Sequence, residues 1–341
     1  MNPQEQPPLI LTWGILSKGR IAEKFALDIL NSRPCSPIDH TLTGVASSTS
    51  LSTACTFLEK IPVYIATPHS HHYQNAMMAL EAGKHVLIEK PITRLFVMEG
   101  LWTRFQPIGC AFREVLGEVG TVRRVWADNG LGMEIERQFL TGDRLITLDL
   151  AGGGLLDLGI YSLNWVLQAL GPRRDYAPHA VASGMTKDRS TGVDETTTIL
   201  LRFAAEKDDH EVQAMVASSL HCATDTDGTT PCVRVQGDKG EIQVFGWPWR
   251  PSRIRIFARE QGFGTIGMVR KEILNRMPDQ VYGLVYEADE LARCVRSGRV
   301  ESETMSWNES LATLKIMDQV RKENELWFGE EAETLVYPVA Q

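Results

Sequence analysis

Apolar positions fall in two alternating patterns along the first hundred residues. Residues 9–16 form a nearly continuous apolar run, as expected of a strand buried on both faces. Residues 21–30 follow with Ile21, Phe25 and Ile29 on one helical face. The alternation repeats as a strand at 41–47, a helix at 51–60 and a strand at 63–66. A helix at 71–82, closed by Gly83, and a strand at 84–89 complete it. Strands separated by helices predict βαβ units and a parallel sheet.

Beyond residue 121 the pattern changes. Stretches 122–129, 179–185, 196–203, 212–221, 232–245 and 253–258 read as strands at hairpin spacing, which predicts a mostly antiparallel sheet. A helix running to Leu170 starts at Gly152-Gly153-Gly154, and two more occupy 285–297 and 306–322. The expected architecture is an α/β domain over 9–110 and an α+β domain with an open sheet over 111–305. A polar tail of residues 1–8 precedes them, and helix 306–326 is expected to return to the first domain.

Composition narrows the function classes. The chain has 341 residues, 43% apolar and 23% charged, which fits a two-domain globular protein. A net charge of -8 argues against nucleic acid or an anionic membrane as the main partner. The cysteines at 35, 55, 110, 222, 232 and 294 form no C-x-x-C pair, so no zinc site is expected. Neither a signal peptide nor a transit peptide is apparent, and no apolar run approaches the ~18 residues of a membrane span. A cytosolic location is the simplest expectation.

Three motifs carry candidate chemistry. The first is the turn Ser17-Lys18-Gly19-Arg20-Ile21 between a strand and a helix. Such a turn offers backbone N–H groups and a helix N-terminus to a pyrophosphate. The G-x-G-x-x-G/A positions are Ser17, Gly19 and Ala22, so the turn can equally be an ordinary βα connection. At the end of the next strand, Ser47-Ser48-Thr49 holds neither the acid that favours NAD nor an arginine that favours NADP. The second motif is Thr67-Pro68-His69 to Glu89-Lys90-Pro91. Lys90 ends a parallel strand, where it either joins proton transfer with a lowered pKa or extends to solvent. His69, His71 and His72 lack a companion ligand at metal spacing, so no metal is expected. The third motif is Gly152-Gly-Gly-x-x-Asp157-x-x-x-Tyr161. A helix puts Asp157 and Tyr161 on one face, either as an acid–base pair or as a packed tyrosine above a first-turn acid.

In this order the motifs resemble the glucose–fructose oxidoreductase / inositol dehydrogenase (Gfo/Idh/MocA) family, from about Trp13 to about Leu326. The pieces that carry the resemblance are WGILSKGRIAEKF, YIATPHSHH…ALEAGKHVLIEKP, FVMEGLWTRFQP, GGGLLDLGIYSLNW, YEADELARCVRSGRVES and MSWNES. Tyr161 stands where many members carry histidine, as in the branch of dihydrodiol and fungal NADP-dependent xylose dehydrogenases. The resemblance implies a Rossmann-type domain that binds NADP, with NAD not excluded. Ser17, Gly19 and Arg20 would lie against the cofactor phosphates, and Thr67, Pro68 and His69 would border ribose and nicotinamide. Lys18, Ile21, Ser47, Ser48, His72, Glu89 and Lys90 would complete the cofactor site. Lys90 and Tyr161 would move the proton, and Asp157 would orient them or hold a sugar hydroxyl. Trp102 and Arg104 would flank the substrate. The implied reaction is oxidation of an aldose at C1, D-xylose to D-xylono-1,5-lactone, in a homodimer joined through the C-terminal sheet.

The chain departs from that family in two places. A strand and a helix expected after Lys60, and a helix expected after Pro91, are absent. Only residues 92–94 then separate the EKP motif from a strand at 95–99. A parallel crossover needs about a dozen residues, so this strand is expected to be lost, flipped or displaced. Low stability and an inactive, non-catalytic relative follow as the alternative reading. trans-Dihydrodiol oxidation is the alternative activity.

Overall fold

The computed structural model describes residues 9–17, 19–31, 33, 36–46, 62–89, 96–134, 138–139, 142–171, 176–204, 210–259, 267–278, 281–334 and 336–337. The described chain divides into two compact units. The first holds the residues up to Gln106, Met277–Trp307 and those from Glu333; the second holds Pro107–Arg276 and Asn308–Ala332.

The first unit is a parallel sheet of strands β1 (Leu9–Leu16), β2 (Ile38–Ala46), β3 (Val63–Ile65), β4 (Val86–Ile88) and β5 (Val97–Glu99). Their order is β2-β1-β3-β4-β5, with every neighbouring pair parallel. Helices α1 (Arg20–Leu30) and α2 (His72–Glu81) follow β1 and β3. On one side Ala76 and Ala79 of α2 pack on Leu16, Ile65, Ile88 and Val97. Elsewhere in the unit Phe25 of α1 stacks on Tyr64 at 3.9 Å and meets Trp13 edge-on at 5.1 Å. The helix expected at 51–60 lies outside the described residues.

The strand expected to be lost is in the sheet. Val97, Met98 and Glu99 pair in parallel with Val86, Leu87 and Ile88. The expectation failed on strand length. Both strands have three residues, so the chain climbs back only ~10 Å at about 3.3 Å per residue. The connection also spans residues 89–96 rather than three positions. The edge of β5 is covered: Val97 N donates to the Val300 carbonyl at 3.3 Å, and Trp307 Nε1 donates to the Val97 carbonyl at 2.9 Å. A covered edge has no free ladder to pair with another chain.

The segment that returns to the first unit is Met277–Trp307, not the expected 306–326. The reason is electrostatic. The buried Asp28 carboxylate of α1 accepts the N–H groups of Tyr282, Gly283 and Leu284 at 2.6–2.8 Å, just before helix α5 (Val285–Arg296). Arg33 then pairs with Asp289 of α5 through both nitrogens, at 2.6 and 2.8 Å. Trp13 Nε1 donates to His40 Nδ1, which leaves Nε2 to carry the proton toward Asp289 Oδ1 at 2.8 Å. Helix α6 (Trp307–Glu323) joins the second unit over most of its length, where Ser183 donates to Glu323 at 2.6 Å.

The second unit is an eight-stranded sheet built from β6 (Val122–Gly130), β7 (Ala180–Lys187), β8 (Asp194–Phe203), β9 (Val212–Ser219), β10 (Pro231–Gly237), β11 (Gly240–Trp247), β12 (Arg250–Ala258) and β13 (Val269–Leu274). Its order is β13-β12-β11-β10-β6-β9-β8-β7, antiparallel except for the parallel pair β6–β9. The long apolar stretch 232–245 is two strands, turned at Gly237-Asp238-Lys239-Gly240. Strand β13 and helix α3 (Pro107–Val115) were not apparent in the sequence pattern.

Helix α4 (Ile160–Leu170) packs on β6 and β9. Leu148–Leu170 is long and apolar enough to cross a membrane, contrary to the sequence expectation. Its most apolar window is 78% buried inside the unit, as in a core helix. Away from the core, Leu200, Met215 and Trp126 are exposed and lie side by side across β8, β9 and β6.

Candidate active site

In the first unit the carboxyl ends of the strands define a crevice. Strand β1 has β2 on one side and β3 on the other, so the order reverses there, which is where open α/β sheets bind ligands. Two segments border this point, Ser17–Gly19 after β1 and Thr67–His69 after β3. Ser17 has φ 144°, a conformation that favours glycine and strains a residue with a Cβ. Its backbone N–H is held by the Ala46 carbonyl at 2.8 Å, and its hydroxyl accepts the Gly19 N–H at 3.0 Å. Gly19 caps α1 with no side-chain hydrogen bond, and Arg20 beside it is exposed. Among the described residues no side chain caps the positive end of this helix, although Glu23 lies in its first turn. Ile21 is half-buried at the start of α1.

The second segment is held from α2. His72 is buried and its Nε2 lies 2.6 Å from the Thr67 carbonyl. Asn75 Nδ2 donates to Thr67 Oγ1 at 2.9 Å, and the His69 ring meets His72 edge-on at 5.4 Å. His72 thus orients the Thr67-Pro68-His69 segment. At the end of β4, Glu89 accepts the Tyr64 hydroxyl at 2.7 Å. Tyr64 in turn stacks on Phe25, so the α1 packing fixes the residue before Lys90. A side chain at Gly100 would meet Glu89 Oε1 at 3.5 Å and Glu287 Oε2 at 3.6 Å. Burial first, then the Glu89 and Asp28 carboxylates, push Glu287 well above the usual carboxylate range. Trp102 and Arg104 are both buried, and Arg104 donates to the Thr304 carbonyl at 2.6 Å. Lys18, Ser47, Ser48 and Lys90 lie outside the described residues.

In the second unit the glycine run makes a turn that no other residue type would fit. A Cβ at Gly152 would sit 2.4 Å from the Arg144 carbonyl. At Gly153, with φ +121°, it would sit 2.0 Å from Asp194 Oδ1. One wide turn, Leu155–Gly159, follows and leads into α4. Asp157 stands on the wide turn and Tyr161 on the first turn of α4, both half-buried. Asp157 accepts from Arg144 Nη1 at 2.9 Å. The Arg144 segment is tied to the same glycine turn, because Gly153 N donates to the Leu145 carbonyl at 2.8 Å and Gly152 N to the Thr147 carbonyl at 3.0 Å.

An aromatic wall stands beside Tyr161. Its ring is 6.2 Å from Trp249, which stacks on Trp247 at 4.7 Å. Trp165, one turn further along α4, donates Nε1 to the Pro248 carbonyl at 2.9 Å, so the wall is fixed to the helix that carries Tyr161. Trp247 is 45% exposed. A phenol next to a ring-stacking surface and an ion pair is a set suited to deprotonating a hydroxyl on a ring with one apolar face.

Arg144, Asp194, Trp247 and Trp249 were not anticipated from sequence. They come from a 3-10 turn, a strand start and a hairpin, with no spacing that ties them to the glycine run. A signal was present only for Asp194, an acid just before the β-branched run 196–199.

Comparison with known proteins agrees with this fold. Residues 12–101 match the model of an oxidoreductase family with an NAD-binding Rossmann fold, and residues 115–243 match the GFO/IDH/MocA C-terminal domain. The chain is 36% identical to the D-xylose 1-dehydrogenase (NADP(+)) of Hypocrea jecorina, over 97% of this chain and 96% of that protein. It is 30% identical to the trans-1,2-dihydrobenzene-1,2-diol dehydrogenase of Homo sapiens, over 92% and 97%. The first alignment runs over 382 positions, more than the 341 residues of the chain, so the relative carries segments that this chain lacks. Among solved structures, a levoglucosan dehydrogenase superposes with a TM-score of 0.71 at 13% identity, over 92% of this chain and 98% of that one. An aldose-aldose oxidoreductase from Caulobacter crescentus superposes with a TM-score of 0.69 at 21% identity, over 92% and 97%.

Proposed function

Because the chain belongs to the Gfo/Idh/MocA family of nicotinamide-dependent oxidoreductases, we propose that it oxidises an aldose at C1 with NADP⁺, D-xylose being the leading substrate. The observation that carries this reading is the half-buried Tyr161 phenol, 6.2 Å from the Trp249 ring and on the helix that follows the Asp157–Arg144 pair. The name of the 36%-identical relative supports xylose and NADP⁺.

The first unit fits a dinucleotide on its own geometry. The β1–α1 turn lies at the switch point of the sheet, and α1 begins without a side-chain cap. Ser17, Lys18, Gly19, Arg20 and Ile21 would hold the phosphates; Thr67, Pro68 and His69 would hold the ribose and nicotinamide. When bound there, a nicotinamide would supply the acceptor for the hydride of the substrate carbon. The protein's own groups do the rest. Tyr161 takes the proton of the anomeric hydroxyl, and with the C1 hydride also removed C1 becomes the carbonyl of a 1,5-lactone, the pyranose ring staying intact. Lys90, from the EKP motif, would be the second group to handle that proton. Asp157, oriented by Arg144, accepts a second sugar hydroxyl. Trp249 covers the apolar face of the pyranose, and Trp247 backs it.

The purified protein is tested with NADP⁺ and NAD⁺ against D-xylose, other aldoses and a trans-dihydrodiol, read at 340 nm. Turnover with D-xylose and NADP⁺ is expected. Turnover with the dihydrodiol alone moves the protein to the chemistry named for its 30%-identical relatives. No turnover with any of them favours the non-catalytic reading, which the missing segments support. The exposed row Leu200, Met215 and Trp126 supports a homodimer through the second sheet. Sedimentation should then give a dimer, and Trp126→Arg a monomer.

A further inference from the structure

We propose that Asp194 is a positioning residue for the reaction: its buried carboxylate clamps the glycine turn and sets where Asp157 and Tyr161 stand. The inference rests on the reading of Tyr161 as the proton-transfer group.

Asp194 opens β8 and is 1% exposed. Its Oδ2 accepts the N–H of Leu155 at 2.5 Å and is 3.3 Å from the Thr197 hydroxyl. Leu155 is the first residue of the wide turn that carries Asp157, and α4 with Tyr161 follows without a break. The carboxyl oxygen therefore caps the N-terminus of this helical run from another strand. Its Oδ1 has no hydrogen-bond partner among the described residues. That oxygen fills the space a side chain at Gly153 would take, 2.0 Å from the position of its Cβ. The turn is thus caught between two elements. Asp194 presses on Gly153 and holds Leu155 from β8, and the Leu145 carbonyl holds the Gly153 N–H from the other strand of chain.

The Arg144–Asp157 bond of 2.9 Å links the same two elements again. If the Leu155 anchor is lost, the wide turn is free to tighten to ordinary helical spacing, because a turn closed by i→i+5 hydrogen bonds is rarely stable by itself. Such a change rotates Asp157 and Tyr161 relative to the Arg144 segment and to Trp249. A displacement of ~1 Å at reacting atoms costs about 10²-fold in rate. Burial raises the Asp194 pKa to about 7 against the hydrogen bonds from Leu155 and Thr197. The anchor therefore needs an acceptor oxygen at Oδ2, which asparagine also supplies, rather than a permanent charge.

The test compares Asp194→Ala, Asp194→Asn and Tyr161→Phe in the full chain. Two readouts are used, turnover and hydrogen–deuterium exchange of the amides of residues 153–161. Asp194→Ala should lower kcat by about 10- to 100-fold with the cofactor KM unchanged, and should speed exchange over 153–161. Asp194→Asn should stay within about threefold of the unmodified protein in both readouts. If Asp194→Ala does not fold, Asp194→Ser, whose hydroxyl is too short to reach the Leu155 amide, takes its place with the same expectations. Unchanged turnover and exchange in the alanine or serine variant overturn the inference, and so does an asparagine variant as impaired as alanine. Normal turnover in Tyr161→Phe overturns the reading of the tyrosine instead, and the exchange result then stands by itself. A chain without turnover still answers through exchange.

Discussion

Two glycine turns in this protein each open a helix, and they are finished in opposite ways. In the first unit, Ser17 occupies the glycine-type position at φ 144°, and Gly19 leaves α1 without a side-chain cap. In the second unit, Gly153 takes φ +121°, and the buried Asp194 carboxylate caps Leu155 from β8. Both helix starts present N–H groups that want an anion. In the first no side chain caps that place among the described residues, and in the second the protein's own acid fills it. A helix N-terminus by itself therefore says little about ligand binding; what matters is whether a neighbouring strand has already brought a carboxylate to it.

The comparison can be pressed hardest at the chemistry that the closed turn supports. Tyr161→Phe should lower turnover by ~10²–10⁴, the usual worth of an acid–base group, while fluorescence titration shows cofactor binding nearly unchanged. A phenylalanine variant with ordinary turnover would reduce the closed turn to a structural feature.

An alanine placed in each turn separates them next. Gly153→Ala meets Asp194 Oδ1 at 2.0 Å in a strained backbone region. It should cost about 3 kcal/mol or more of stability, visible as a lower melting temperature. Gly19→Ala meets only the Ser17 hydroxyl at 3.4 Å and has φ -70°. It should leave the melting temperature within about 2–4 °C and weaken only cofactor binding. Equal thermal losses in the two variants would erase the distinction between an open and a closed turn.

Acidity gives a third handle. The folded-state pKa of Asp194 is raised from 3.8 to about 7, so the native protein holds a proton that the unfolded chain releases. That contribution to stability is full below about pH 4, falls as pH rises toward 7 and is flat above. Asp194→Asn removes this slope. Melting curves from pH 4 to 8 should show a shallower decline for the variant, and parallel curves would contradict the assigned burial.

The smallest effect is expected at Ser17→Gly. Relief of the φ strain, about 1–2 kcal/mol, is partly offset by the greater freedom of glycine when unfolded. The net gain should be under ~1 kcal/mol. With the Ser17 hydroxyl gone, the Gly19 N–H is released toward the crevice. NADP⁺ binding should tighten by about fivefold, as expected for ~1 kcal/mol from one hydrogen bond. Weaker binding would mean that the serine contacts the ligand.

Periodicity was enough for most elements, because burial on one or two faces writes itself into the order of residues. Strand β1, helices α1 and α2, and the strands β6 to β9 stand close to where the apolar spacing put them. The glycine run, Asp157 and Tyr161 were legible too, since they are neighbours in the chain. Strand β13, with five of six residues exposed, carries no core pattern to read. The fate of the strand after the EKP motif was misjudged for a different reason. Crossover length depends on how far the chain must climb back, and strands of three residues make that climb short.

What the sequence by itself determined is the set of local elements and the chemical groups attached to them. The tertiary structure alone decided which distant groups meet. Asp194 lies 39 positions from Leu155, Trp249 lies 88 from Tyr161, and Asp28 lies more than 250 from the amides it accepts. No local propensity links such pairs. They come together because the strand order of each sheet brings the buried carboxylates of Asp28 and Asp194 to backbone N–H groups remote in sequence.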